Sequence, residues 1–254
     1  MYKDTDPALQ SQLALPILII TNALHHEGQE APGSKGQAIS NLVIVAFFYL
    51  LWVGEYTMPT TQCQTRTIQF RCKDVHLWHQ HQLPPHHALL PVLFTADATT
   101  LYIDNQKNGD QEGTIHHSAA LGALCPVSPG LLSPHHHCPL PEESTPLSLY
   151  ALHSHILAPS IVNTIQLASG QASLLAQGYS LCHIGTHSLC TSGAMALKLN
   201  GYDGITIMKV RWWTSNTFMS YLHSQIAALT NGVAAHMTRP IAFHKQPRSW
   251  VGRG

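Results

Sequence analysis

Residues 42–53 form the longest unbroken apolar run in the chain, twelve consecutive positions. The run lies inside a segment, 37–56, that is hydrophobic on nearly every side. This predicts a helix buried all round and ended by Thr57-Met58-Pro59, because proline has no amide hydrogen to continue it. Upstream, residues 8–26 mix apolar and polar positions at helical spacing, and the Gly- and Pro-containing stretch 28–36 predicts a surface loop between the two helices.

From residue 66 the spacing changes to alternation. Residues 67–73, 99–104 and 113–116 alternate in polarity or are rich in β-branched side chains, predicting three short antiparallel strands. Asn108-Gly109 marks the turn between the second and third, within a connection, 106–112, that is longer than a tight hairpin. Six prolines between 126 and 146 exclude one continuous helix, so 125–148 is expected to be irregular. Helical spacing returns at 150–178, after His187, at 205–209 and at 215–230, where Phe218, Tyr221, Leu222 and Ile226 share one face. The predicted fold class is mainly α (α+β): a helical bundle with a small three-stranded antiparallel sheet on one edge. The domain is expected over residues 1–239, followed by a flexible tail at 240–254.

Composition changes this picture little until charge is considered. With 44% apolar residues in 254, the chain can bury a sizeable core. The twelve-residue run falls short of the roughly 20 needed to cross a bilayer, and the amino terminus has no basic segment leading into an apolar one. No membrane segment and an intracellular location are therefore expected. Cys63, Cys72, Cys125, Cys138, Cys182 and Cys190 form no C-x-x-C pair and are expected to be thiols.

The charge is unusual. Lys plus Arg number 13 against 13 Asp plus Glu, with 19 His, whereas a duplex-binding domain ordinarily carries a basic excess. Arg codons of the CGN type become Cys, His, Trp or Gln codons by single C-to-T transitions, so loss of Arg in a decaying gene accounts for both the neutral balance and the surplus of His. A metal site is a second reading of the His content: His135-His136-His137-Cys138, with His153 and His155, offers ordinary zinc ligands. Their spacing matches no finger or ribbon, and a Pro-rich loop preorganises little. No metal and no cofactor are expected.

Five segments, taken in order, carry a family resemblance. Trp52 and Glu55 lie three residues apart at the end of the apolar helix. Lys107 stands beside Asn108-Gly109 in the predicted hairpin. Ile184-Gly185-Thr186-His187-Ser188-Leu189-Cys190 opens a helical pattern, Arg211-Trp212-Trp213 follows, and Tyr221 sits on the last helix. Together these resemble the catalytic domain of the tyrosine recombinase, or phage integrase, family, especially the recombinases of Crypton/DIRS-like eukaryotic mobile elements, over roughly residues 8–235. The resemblance implies a Tyr221 hydroxyl that attacks the scissile phosphodiester to give a 3′-phosphotyrosyl link. It implies His187, with Trp212 or Trp213, as phosphate hydrogen-bond donors, and Lys107 as proton donor to the 5′ leaving oxygen. Trp212 and Trp213 precede Tyr221 by nine and eight residues, and either fits the family's His/Trp position.

Two positions depart from the family pattern. Trp52 and Cys190 stand where the family has the two Arg residues that clamp the phosphate, and Arg211 stands where relatives tend to have Gly. An indole cannot form a bidentate fork, and a thiol is a weak donor without charge. Losing one such donor typically costs about 10²- to 10³-fold in rate, so the chain is expected to be catalytically disabled. Arg211 is expected to strain its backbone if the position needs positive φ, which leaves open whether the chain folds stably. The partners implied are double-stranded DNA, weakened by the low charge, and a homo-multimer on DNA. The alternative reading is a non-catalytic DNA-binding relic of a mobile element. The family's amino-terminal DNA-binding domain is expected to be absent, making the chain a fragment, and the implied location is nuclear or otherwise intracellular.

Overall fold

The apolar run forms helix α2, Lys35–Phe48, in which nearly every residue from Ile39 to Phe47 is buried. Its start is fixed locally: the Ser34 hydroxyl accepts the Gln37 amide (3.2 Å) and the Gln37 side chain accepts the Gly33 amide (2.6 Å). The predicted helix to residue 56 is broken at 49–52. Leu50 takes a left-handed conformation (φ 54°), and the Leu51 amide reaches back to the Ala46 carbonyl (3.1 Å), a Schellman-type closure that turns the chain. A β-carbon at positive φ costs roughly 1–2 kcal/mol, which the complete burial of the Leu50 side chain offsets. A short helix, α3 (Val53–Tyr56), follows.

The computed structural model describes residues 12–28, 33–59, 68–82, 90–103, 113–121, 124–128, 132, 145–172 and 180–211. All lie within one compact unit, Met1–Ser224. The first helix, α1, spans Ile17–Gly28. The expected helix from residue 8 is replaced at 12–16 by an extended segment, because Pro16 disfavours helical backbone at Leu15. Ile19, Ile20, Ala23 and Leu24 of α1 face α2 and the helix α5 (Ala158–Gln171), and all four are buried. Each fully buried Ile or Leu contributes about 1.5–3 kcal/mol relative to exposure.

The three-stranded antiparallel sheet has the order β1 (Val75–Trp78), β2 (Ala98–Ile103), β3 (Gly113–Ser118). The second and third strands match expectation. The first does not: residues 72–74 form a 3-10 turn, and pairing begins at Val75, where Val75 and Leu77 point into the core and His76 and Trp78 point out. A helical turn, α4 (Leu90–Leu93), precedes β2. Residues 124–128 and 145–148 carry no helix or strand, as expected of the proline-rich connection.

The expected helix over 150–178 is also corrected. Its first residues form a hairpin, β4 (Leu149–Ala151) with β5 (Ser154–His155), and α5 starts at Ala158 with a proline in its first turn. Helix α6 spans Thr186–Leu199 and packs on α2, and α7 spans Gly204–Arg211. Arg211 closes α7 in helical backbone, so the positive-φ strain expected of it does not arise. The expected nucleophile helix at 215–230, the loop 106–112 and the tail 240–254 lie outside the described residues. No helix among the described residues is long and apolar enough to cross a membrane.

Candidate active site

The site is built where α6 begins and where the chain leaves α2. Small residues let the helices meet there. Ser188, Ser192 and Gly193 of α6 are buried, and a β-carbon on Gly193 would overlap the Phe47 carbonyl oxygen and the Leu50 side chain. This close approach seats the middle of α6 on the end of α2.

On the α3 side, the Glu55 side chain is fully buried and accepts the amide of Trp52 (2.7 Å), so it holds the end of the turn that presents Trp52. Trp52 itself is half-buried. Tyr56 is buried, and its hydroxyl has no hydrogen-bond partner among the described residues. Burial pushes its acidity far down, and the Cys190 thiol and the Glu55 carboxyl reinforce the effect.

On the α6 side, Cys190 is 0% exposed. A catalytic candidate by sequence, it is a buried residue in this structure: its short side chain ends inside the protein, where a guanidinium would extend further. His187, one turn earlier, is half-buried, and burial lowers its imidazole below the usual His range. It is neutral at pH 7 and presents a single N–H.

The first turn of α6 is held by groups the sequence did not single out. Gly185 supplies no capping side chain. The His187 amide donates instead to the Gln12 side-chain oxygen (2.7 Å), the Gly185 amide to the Ser188 hydroxyl (3.1 Å), and the Leu15 amide to the Ser192 hydroxyl (2.7 Å). Gln12 is 175 residues from His187 in sequence, so no local pattern could have revealed it. Tyr56 was visible only as a position next to Glu55.

Lys107, Trp212, Trp213 and Tyr221 lie outside the described residues. So do His135, His136, His137 and Cys138, while His155 of the same metal reading bonds to the Ser148 hydroxyl (3.2 Å). Among the described residues no group of three His, Cys, Asp or Glu side chains could hold a metal ion. The described cysteines, Cys72, Cys125, Cys182 and Cys190, are all thiols. A cavity of about 390 Å³ opens between the end of α2 and the second half of α6, lined by Phe47, Phe48, His117, Gly193, Leu197 and others. Neither His187, Cys190 nor Trp52 lines it.

No family model matches the sequence, and no curated protein matches it. A solved structure does match: the XerH site-specific recombinase bound to palindromic difH substrate, in a post-cleavage complex, with a TM-score of 0.55 and 14% identity. The match covers 89% of this chain and 54% of that one, so the chain spans about half the length of the recombinase it resembles. The fold is that of a tyrosine recombinase catalytic domain. At this identity the likeness establishes the fold, and the chemistry has to be argued from the residues.

Proposed function

We propose that this chain is a DNA strand-exchange domain of the tyrosine recombinase type, of mobile-element origin, whose phosphate clamp has been lost. The observation that supports the reading is the state of α6, in a chain of recombinase-type fold: His187 is half-exposed on its first turn, while Cys190, at the position the resemblance gives to a clamp Arg, is wholly buried. Trp52, at the other clamp position, carries no charge.

In this reading DNA is the substrate. Tyr221 attacks the scissile phosphate, the neutral His187 donates an N–H to a non-bridging oxygen, Trp212 or Trp213 donates a second, and Lys107 protonates the 5′ oxygen. Two guanidinium groups would stabilise the charge that accumulates on the phosphorane, and this chain has neither. The nucleophile and its scaffold are retained, and turnover is expected to be negligible. With formal net charge zero, affinity for duplex DNA should be weak, and with few phosphate contacts its dependence on salt should be shallow.

The test is covalent trapping on a nicked suicide substrate. The unmodified chain should give no DNA adduct, and the Trp52→Arg/Cys190→Arg chain should give one that disappears in the additional variant Tyr221→Phe. A Tyr221-dependent adduct from the unmodified chain would overturn the disabled reading. Absence of an adduct from the folded, restored chain would overturn descent from this enzyme. Salt-dependent duplex binding with no cleavage in either chain would favour the non-catalytic DNA-binding relic.

A further inference from the structure

We propose that Gln12 is a positioning residue for His187: the strap of residues 12–16 caps the first turn of α6 from outside the helix and sets where His187 points. The coupling rests on geometry alone. The chemical role it gives to His187 rests on the recombinase reading above.

A helix leaves its first amides without partners, and the residue just before it normally supplies a side-chain oxygen to one of them. Gly185, at that position in α6, has none. The oxygen comes instead from Gln12, which accepts the amide of His187, the second residue of the helix (2.7 Å). The strap is anchored on both sides of that contact. The Leu13 amide donates to the His183 carbonyl (2.9 Å), and the Leu15 amide to the Ser192 hydroxyl (2.7 Å), which in turn donates to the Ser188 carbonyl. Ala14 and Leu15 are buried beneath the same turn.

Gly185 completes the device. Its backbone is extended (φ −154°, ψ −168°), a conformation any residue adopts, so backbone freedom does not explain the glycine. Room does: a β-carbon there would overlap the Gln12 side-chain amide. That amide is the free end of a flexible side chain, so it would move aside at little cost to the fold. Gly185→Ala is therefore expected to expel Gln12 from its capping position while leaving α6 in place. The helix start holding His187 is thus governed by a segment at the other end of the sequence, and any force on residues 12–16 acts on the His187 turn.

The experiment uses the full chain and NMR, following exchange of the His187 amide and titration of its imidazole. Gln12→Ala and Gly185→Ala should each speed His187 amide exchange on the order of 10-fold, the effect of losing one hydrogen bond. The double variant should be no faster than either alone, because both remove the same contact. Gln12→Glu, which keeps an acceptor oxygen, should restore slow exchange. In Gln12→Ala the imidazole titration should shift as the turn that carries the ring loosens, with exchange at Ala196 unchanged. The proposal fails if Gln12→Ala leaves His187 exchange and titration unaltered, if the two substitutions multiply in the double variant, or if Ala196 loosens equally. These outcomes do not depend on cleavage: a restored clamp that cuts no DNA while the coupling is present would sink the recombinase reading alone.

Discussion

The seam between α3 and α6 and the outer sheet β1–β3 are built to different rules. In the sheet, hydrogen bonding is complete along a row of side chains. The Trp78 indole donates to the Thr100 hydroxyl (2.8 Å), and that hydroxyl is hydrogen-bonded to Nδ1 of His116 (2.9 Å). His117, on the other face, donates its Nε2–H to the Phe48 carbonyl (3.1 Å) and packs edge-on against Tyr49 (ring centroids 4.8 Å apart). In the seam, burial is just as deep and no such row forms: the Tyr56 hydroxyl has no partner among the described residues, as the Thr99 hydroxyl has none in the sheet. The difference teaches that packing can outlast chemistry. Cys190, wholly buried, and Trp52, half-buried, fill space in the seam without bringing a charge to it.

The strongest way to break this comparison is to return a charge to the seam. Cys190→Arg should be tolerated where Glu55 is present and should lose a further 3–5 kcal/mol, roughly, when combined with Glu55→Gln, since a buried charge without a partner is the costly case. Urea denaturation of the single and double variants measures this. Equal stability of the two would show that the arginine escapes to solvent and that the seam is no vestige of an ion pair.

Next in size is Gly193→Ala, where a β-carbon meets the Phe47 backbone. A loss of about 1–3 kcal/mol in thermal or chemical unfolding is expected, because backbone cannot step aside as a side-chain end can. A neutral effect would mean that α2 and α6 lie further apart than the seam requires.

Two hydroxyl deletions separate the regions directly. Thr100→Val should destabilise by about 1 kcal/mol, stranding the Trp78 donor and Nδ1 of His116. Tyr56→Phe should cost nothing measurable or should stabilise slightly, since its hydroxyl is buried without a bond. Reversed signs in a pair of melting curves would overturn the contrast drawn here.

The smallest effect is common to both regions. Burial lowers the imidazoles of His117 and His187, so each is held neutral in the fold while the unfolded chain keeps an ordinary His. Stability from these groups is complete above about pH 6.5 and is lost as pH falls through their lower folded values, because the unfolded chain takes up the proton first. Tm should therefore drop between pH 7.5 and 5, and the drop should be shallower in His117→Gln. A Tm that rises over that interval would contradict the burial of both rings.

Much of the scaffold was legible because it rests on local rules. The apolar run announced α2, β-branched residues announced β2 and β3, and the spacing of five segments pointed to a fold that the structure displays. The errors fall where a local pattern was overruled. Leu50 breaks the long helix by a left-handed turn that only its burial supports, Pro16 keeps 12–16 extended, and residues 149–155 pair as a hairpin despite helical spacing.

By itself the sequence determined the order of elements, the neutral charge and the presence of uncharged side chains at positions 52 and 190. Those follow from residue identity and from periodicities only a few residues long. Tertiary structure alone decided that Cys190 is sealed in the core and that Gln12 caps the helix bearing His187. Each of those contacts joins residues far apart in the chain, and close packing between helices leaves no periodic trace by which such partners could be found.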